Sequence, residues 1–450
     1  MTSSRHPSRR RLLRDLGAGA VGLAGAGALG ARTGSRRAAA AGDDARAVGT
    51  SGAPAAATDT TAATAATAET RVMTRNLALG ADLTRLYDAE DDELDRVAGD
   101  LVATAEESRF DHRAAAIAAE IEATGPALVG LQEAVRVEVD SEVRFDYLNV
   151  LRRALRERGL DYEVVARATN ADVTLPAAVD GLLSVLTVVD RDAVLVRGDV
   201  ATENARSGRF DAALEVKRDG RTVTVPRGWA AVDATAAGRE TTFVTTHLEA
   251  ADAAVRRAQA RELVGAFEDR ESVVVAGDVN DGPDDAAGAY QQLARTFEDA
   301  AAVAGDPGPT CCQNANLRNR RSRLSTRLDH VFVRGPLVPT AVTLTGEDGS
   351  DRVDTPDGTV WPSDHAGVVA TLRVEAESTT TAAPTNTPTE SATDASTSTP
   401  TAGSATTGTD GGATNDGRDT TVSVPGFGVT AALVALGTAL AAALRRRGDD

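Results

Sequence analysis

The chain has 450 residues, with 48 Lys and Arg against 66 Asp and Glu, and a formal net charge of −18. Apolar residues make up 42% of it and aromatic ones only 3%, which is enough for a large buried core in one or two domains. The acidic balance excludes a simple cationic nucleic-acid coat protein, and two adjacent cysteines, Cys311 and Cys312, exclude a disulfide framework or a CxxC zinc ribbon.

Residues 1–42 open with Ser8-Arg9-Arg10-Arg11 and continue into a small-residue apolar run from Leu16 to Ala31. The stretch resembles a twin-arginine export signal, an address read by export machinery and cut near Ala38–Gly42. Residues 43–70 are an Ala/Thr-rich linker, and residues 71–375 form the expected folded domain. Strand-like runs are Val72–Leu77, Leu128–Leu131, Val194–Val196, Trp229–Val232, Thr241–Thr246, Ser272–Ala276, Asp329–Val333 and Gly367–Val374. Apolar residues at helical spacing predict helices over Phe110–Ala123, Val143–Glu157, Ala253–Glu268 and Asp285–Arg295. Alternation early and consecutive strands later predict a layered α/β sandwich with antiparallel pairing.

Residues 376–424 are rich in Thr and Ser and carry too little apolar surface to fold, resembling a glycosylated stalk. Residues 425–450 hold Pro425-Gly426-Phe427, an apolar run Gly428–Leu444 and Arg445-Arg446-Arg447. This run is just long enough to cross a bilayer, with the arginines on the cytoplasmic side. The combination resembles an archaeal C-terminal sorting signal, processed by a sorting enzyme that leaves a lipid anchor. The expectation is an exported, surface-located, monomeric protein, membrane-anchored at its C-terminus. Lys217 is the only lysine. An acidic, lysine-poor chain fits concentrated salt, where charge repulsion is screened, and resembles proteins of salt-adapted archaea.

Inside the folded part, oxygen and imidazole groups gather where apolar runs stop, the position at which α/β folds put their chemistry. Val273-Val274-Val275-Ala276-Gly277 leads into Asp278 and Asn280, two residues apart and so on one side of an extended chain. A carboxylate beside an amide can deprotonate and orient a water, or hold a hard cation, although Asp, Asn and Gly also simply end strands. Gln132 and Glu133 end another run, Asn76 a third, and Thr246-His247-Leu248 a fourth. Arg327-Leu328-Asp329 and Ser363-Asp364-His365 precede the last two large strands. Each group alone reads as well as a turn or a structural histidine.

Together and in this order they resemble the endonuclease/exonuclease/phosphatase superfamily, over essentially Arg71–Arg373. That resemblance implies a four-layered α/β sandwich, two mixed β-sheets packed together and flanked by helices. It implies a metal-dependent phosphodiester hydrolase, with Mg2+ as the cofactor and Mn2+ as an alternative. Asn76, Glu133 and Asp364 then correspond to the metal site. Asp278 corresponds to the residue that activates water, Asn280 to the one that orients it, and His365, paired with Asp329, to the histidine at the scissile phosphate. His247 corresponds to a second histidine, and Asp192 to a carboxylate that orients it. His330 stands where an apolar residue is common and reads as structural.

Between Asp306 and Asp329 there is no acidic residue, while Arg318, Arg320, Arg321, Arg323 and Arg327 all occur. In so acidic a chain this predicts an arginine loop that grips a phosphate-bearing substrate through guanidinium–phosphate contacts, with Gln313, Asn314, Asn316 and Asn319 adding hydrogen-bonding capacity. The substrate is a phosphodiester, nucleic acid being the first candidate. A lipid or inositol-phosphate enzyme of the same fold is the alternative, and an inactive surface adhesion or scaffold protein the second. The cysteines read as two small thiols, with a vicinal disulfide as the alternative in an oxidising compartment.

Overall fold

Strand direction explains why distant segments meet. In chain order the elements are β1 (Glu69–Asn76), α1 (Arg85–Asp88), α2 (Leu94–Glu107), α3 (Phe110–Thr124), β2 (Leu128–Gln132), β3 (Arg136–Val139), β4 (Glu142–Asp146), α4 (Tyr147–Glu157), β5 (Tyr162–Val179) and β6 (Leu182–Arg197). There follow β7 (Thr202–Arg209), β8 (Leu214–Arg218), β9 (Arg221–Val225), β10 (Gly228–Ala236), β11 (Arg239–Thr246), α5 (Ala253–Ala266), β12 (Val273–Asp278) and α6 (Ala289–Ala294). The rest are β13 (Glu298–Asp299), α7 (Ala300–Ala304), β14 (Asp329–Arg334), β15 (Leu337–Thr345), β16 (Val353–Thr355), β17 (Gly358–Val360) and β18 (Gly367–Val374). This computed structural model describes residues 68–374 apart from 83–84, 91 and 219–220. The export signal, nearly all of the linker, the stalk and the apolar tail lie outside the described residues. Among the described residues no helix is long and apolar enough to cross a membrane.

One sheet runs β15-β18-β1-β2-β6-β3-β4 with β5 on β6, the other β13-β14-β12-β11-β10-β7. Both are mixed: β1 is parallel to β2 and antiparallel to β18, while β11 is parallel to β12 and β12 antiparallel to β14. Successive residues of a strand point to opposite faces, and the central strands are apolar on both. Val72, Leu128 and Val194 meet Val232, Phe243, Val274 and Val331 between the sheets. Their chain neighbours Met73, Val129 and Leu195 pack outward under α2, α3 and α4, and Val244, Val273 and Val275 pack outward under α5 and α6. Four layers result: helices, sheet, sheet, helices.

The helices follow from local chemistry. Leu94, Val97, Ala98, Leu101, Val102 and Ala105 form the buried stripe of α2, at the spacing of one helix face. Asp252 caps α5, its carboxylate accepting from the N–H groups of Ala254 (2.7 Å) and Val255 (3.0 Å). α3 ends on Gly125 in the left-handed region, φ 57°, whose N–H returns to Ile121 O. The expected helix over Val143–Glu157 begins only at Tyr147: Glu142–Asp146 is strand β4, paired with β3, and Asp146 is the N-cap. At Gly130 the two sheets press close together. A Cβ there would stand 2.6 Å from Thr245 Oγ1 and 2.7 Å from Ala276 O of the opposite sheet.

Candidate active site

The parallel pairs β1–β2 and β11–β12 put four strand C-termini at one edge of the sandwich. They carry Asn76, Gln132-Glu133, His247 and Asp278. β14 and β18 run the other way, so their N-terminal ends reach the same edge, bringing Asp329 opposite Asp278 and Ser363-Asp364-His365 beside Asn76. Ser363 Oγ donates to Asn76 O at 2.7 Å. Glu133 and Asn280 leave their strands with φ of 53° and 54°, a region that non-glycine residues seldom occupy and that recurs at functional sites.

His365 Nδ1 donates to Asp329 Oδ2 at 2.8 Å and lies 3.7 Å from Asp278 Oδ2. Ligand atoms of Asp278, Asp329 and His365 all lie within 4.8 Å of one another. Thr310 Oγ1 donates to Asp329 Oδ2 at 2.6 Å, fixing the carboxylate that fixes the imidazole. Burial alone would lower the His365 pKa, but Asp329 and Asp278 outweigh it and hold the imidazolium well above its ordinary value. Burial, then the Asp329 charge, push the Asp278 carboxyl up to about 6, against pulls from His365, the Asn280 N–H and Asn76.

Asn280 N donates to Asp278 Oδ1 (2.9 Å) and Asn280 Nδ2 to Leu248 O (2.9 Å). His247 Nε2 stands 3.5 Å from Asp278 Oδ2. Burial, then Arg227 and His365, hold His247 well below its ordinary value, so it is the neutral imidazole of the pair. No hydrogen bond joins Asp192 to His247, whose Nδ1 has no hydrogen-bond partner. Asp192 therefore does not orient that ring directly. It is a buried carboxyl pushed well up by desolvation and by Asp190.

Asn76 enters the site differently from the sequence expectation. Its Oδ1 accepts from Ala78 N (2.9 Å), and its Nδ2 donates to Asp278 Oδ2 (3.1 Å) and Glu133 Oε1 (3.3 Å). It is a bridge between two carboxylates, with its oxygen already engaged. Glu133 accepts from Asn76 through Oε1 and from Leu79 N through Oε2 at 3.1 Å, and with Asp364 it is a carboxylate that could hold a cation. Burial, followed by the charges of Asp364 and Asp190, drive Glu133 up to about 8. Asp364 Oδ1 is buried without a partner. Two carboxylates pressed together are the kind of hard oxygen donors that a divalent cation takes. Ligand atoms of Asp278, Asp329 and His365 also lie close enough together to hold a cation.

The arginine loop is anchored to the site. Cys311 bridges to both Thr326 and His365, and Gln313 N donates to Asp364 O at 2.8 Å. Leu317, Val360 and Trp361 give it a small core of its own. Its amides serve the loop and not a ligand: Gln313 Oε1 accepts from Asn319 Nδ2 (2.7 Å) and Arg323 N (2.9 Å), and Asn316 Oδ1 from Arg318 N (3.1 Å). Arg318 donates to Asp357 O (2.6 Å) and Glu107 O (3.1 Å), so it pins the loop and is set aside as a substrate contact. Arg327 pairs with Asp299 at 2.7 Å. Arg320, Arg321 and Arg323 remain exposed, Arg323 also donating to Asn314 Oδ1. His330 is structural: its Nε2 donates to Asp281 O (2.9 Å) and its Nδ1 accepts from Arg327 (3.0 Å). The structure joins Cys311 and Cys312 as a vicinal disulfide, the reading that the sequence placed second.

Several site-building residues escaped the sequence reading. Arg113, fully buried, donates to Leu77 O, Ala78 O and Pro362 O at 2.8–2.9 Å, clamping the exit of β1 to the approach of His365. Arg75 donates to His365 O and pairs with Glu120. Arg227 lies fully buried, 3.8 Å from Glu249 and 4.0 Å from Asp190. Their partners lie far away along the chain, which hid these contacts.

A two-sheet sandwich with this edge constellation is that of a phosphoester hydrolase. The chain belongs to the Endonuclease/Exonuclease/phosphatase family, whose model matches residues 97–365. No curated protein sequence matches it significantly. Similar solved structures include an endonuclease/exonuclease/phosphatase family protein from Bacteroides thetaiotaomicron, at 16% identity and TM-score 0.45, covering 68% of this chain and 98% of that one. Another is a mannosyl-6-phosphatase of the same organism, at 17% identity and TM-score 0.43, covering 67% and 99%. A third is D. rerio TDP2 complexed with a single-strand DNA product, at 17% identity and TM-score 0.43, covering 68% and 99%.

Proposed function

We propose that this protein is a Mg2+-dependent phosphodiester hydrolase, acting as an exported, surface-anchored nuclease. The observation that carries the chemistry is the Asp329–His365–Asp278 cluster, in which one histidine is held charged beside a carboxyl poised near neutrality. In-line hydrolysis needs an activated water and neutralisation of the phosphoryl oxygens. Asp278 takes the proton of the attacking water, and Asn280, its backbone fixed to Asp278, aligns that water. His365, oriented by Asp329 through Nδ1, presents Nε2–H to a phosphoryl oxygen. Neutral His247, near the same Asp278 oxygen, is a hydrogen-bonding partner for the phosphate. Glu133 and Asp364 would hold the cation, which when bound adds charge neutralisation at the phosphate and leaving oxygen. Arg320, Arg321 and Arg323 contact flanking phosphates from the loop.

The test is a substrate panel of double- and single-stranded DNA, RNA, sphingomyelin and inositol phosphates, assayed with and without Mg2+ in molar salt. Mg2+-dependent release of acid-soluble nucleotides is expected. Turnover of the lipid or inositol phosphates alone would replace the nuclease reading with the other branch of the family. Export and anchoring rest on the sequence of residues 1–42 and 425–450. Replacing Arg9 and Arg10 with Lys should leave the precursor in the cytoplasm, as fractionation would show.

A further inference from the structure

The adjacent cysteines take no part in the chemistry proposed above, yet they stand against its histidine. The segment from Thr310 to Gln313 is stitched to the site from both sides. Cys311 N donates to Thr326 O at 2.9 Å, and Ala366 N to Thr310 O and Gln313 N to Asp364 O, both at 2.8 Å. This framework puts Cys312 Sγ 3.8 Å from His365 Nε2, the ring nitrogen opposite the one that Asp329 holds. One ligand atom from each of Cys311, Cys312 and His365 lies within 4.8 Å of the other two. Cys311 is buried and Cys312 half-buried.

We infer that Cys311, Cys312 and His365 form a binding site for one thiophilic divalent cation when the cysteine pair is reduced. Two sulfurs and an imidazole nitrogen are donors for Zn2+ or Cd2+ and poor ones for Mg2+. That separates this site from the oxygen pocket of Glu133 and Asp364. The disulfide offers no thiolate. A phosphine reductant opens it: the S–S bond breaks, two thiols form, and the phosphine takes up the oxygen of one water as phosphine oxide. Cation binding then releases both thiol protons and the Nε2 proton of His365. Three protein donors leave a fourth position for water. The consequence for hydrolysis rests on the function proposed above: His365 would be withdrawn from the phosphate, so the site opposes catalysis. The binding itself does not depend on that reading.

The experiment uses the full chain, reduced with phosphine and freed of reductant without oxygen, titrated with Cd2+ alone. Thiolate-to-cadmium charge-transfer absorbance reports binding, and Mg2+-dependent hydrolysis is followed in parallel. The expected result is a band saturating at one equivalent in the reduced protein and missing from the oxidised protein. It should vanish in Cys312→Ser, whose position is half-buried, and in Cys311→Ala, with circular dichroism checking the fold of each. His365→Gln should weaken binding roughly tenfold or more. No band in the reduced protein, a band that survives Cys312→Ser, or unchanged affinity in His365→Gln would overturn the proposal. A saturating band without loss of hydrolysis would keep the metal site and remove the part assigned to His365 in catalysis.

Discussion

Asp278 and His365 have opposite requirements, and their shifted pKa values fix the sign of the pH dependence. Asp278 must be ionised to act as base; its pKa is raised to about 6, so activity falls as pH drops through that value. His365 must be protonated; its pKa is raised well above the ordinary imidazole value, so activity falls only as pH climbs through that higher value. The pH profile of kcat/KM is therefore a bell. Asp329 raises both groups, so Asp329→Asn should slide both limbs to lower pH. Limbs that stay in place in that variant would contradict the assignment. Asp278→Asn should reduce kcat by roughly 10²–10⁴-fold, the usual worth of a general base, with the fold intact by circular dichroism. Residues of this kind were legible in the sequence because each stands at an end of an apolar run, Asp278 after one and His365 before one. Thr310, Arg75 and Arg113 were not, because they act through contacts 19, 290 and 249 positions away.

At the scale of elements, sheet proximity and the arginine loop each make a prediction. Gly130→Ala would drive a methyl group into Thr245 Oγ1 and Ala276 O. It should cost about 1–3 kcal/mol, as overpacking does, read as a lower midpoint in denaturant. A neutral outcome would mean that the sheets separate there more readily than their packing indicates. Arg320→Ser with Arg321→Ser should raise KM for polyanionic DNA and leave a small chromogenic diester unaffected. Equal kinetics on both substrates would remove the loop from recognition. The strands at the sandwich centre were readable from their unbroken Val and Ile-like runs. The long β5–β6 hairpin was seen only at Val194–Val196; in β5 the buried positions include Ala166, Ala168, Ala171 and Ala177, which carry little β signal. Helix α2 was missed although its stripe is regular, and β4 was absorbed into a helix expected from Val143, which is 52% exposed.

For the whole molecule, the order of the motifs was readable, but the edge where they meet was not. It follows from strand polarity: parallel partners bring C-termini together, and antiparallel partners bring N-termini to them. Sequence periodicity gives each strand's two faces without its neighbours, so Asp278 opposite Asp329 and Asn76 between Glu133 and Asp278 needed the assembled sheets. The most direct test of the account is single-turnover hydrolysis of a defined DNA strand by the full chain, with and without Mg2+, for wild type, Asp278→Asn and His365→Gln. The account predicts Mg2+-dependent cleavage in the wild type and near-abolition in both variants. Undiminished cleavage in either variant, or equal rates without the cation, would contradict it.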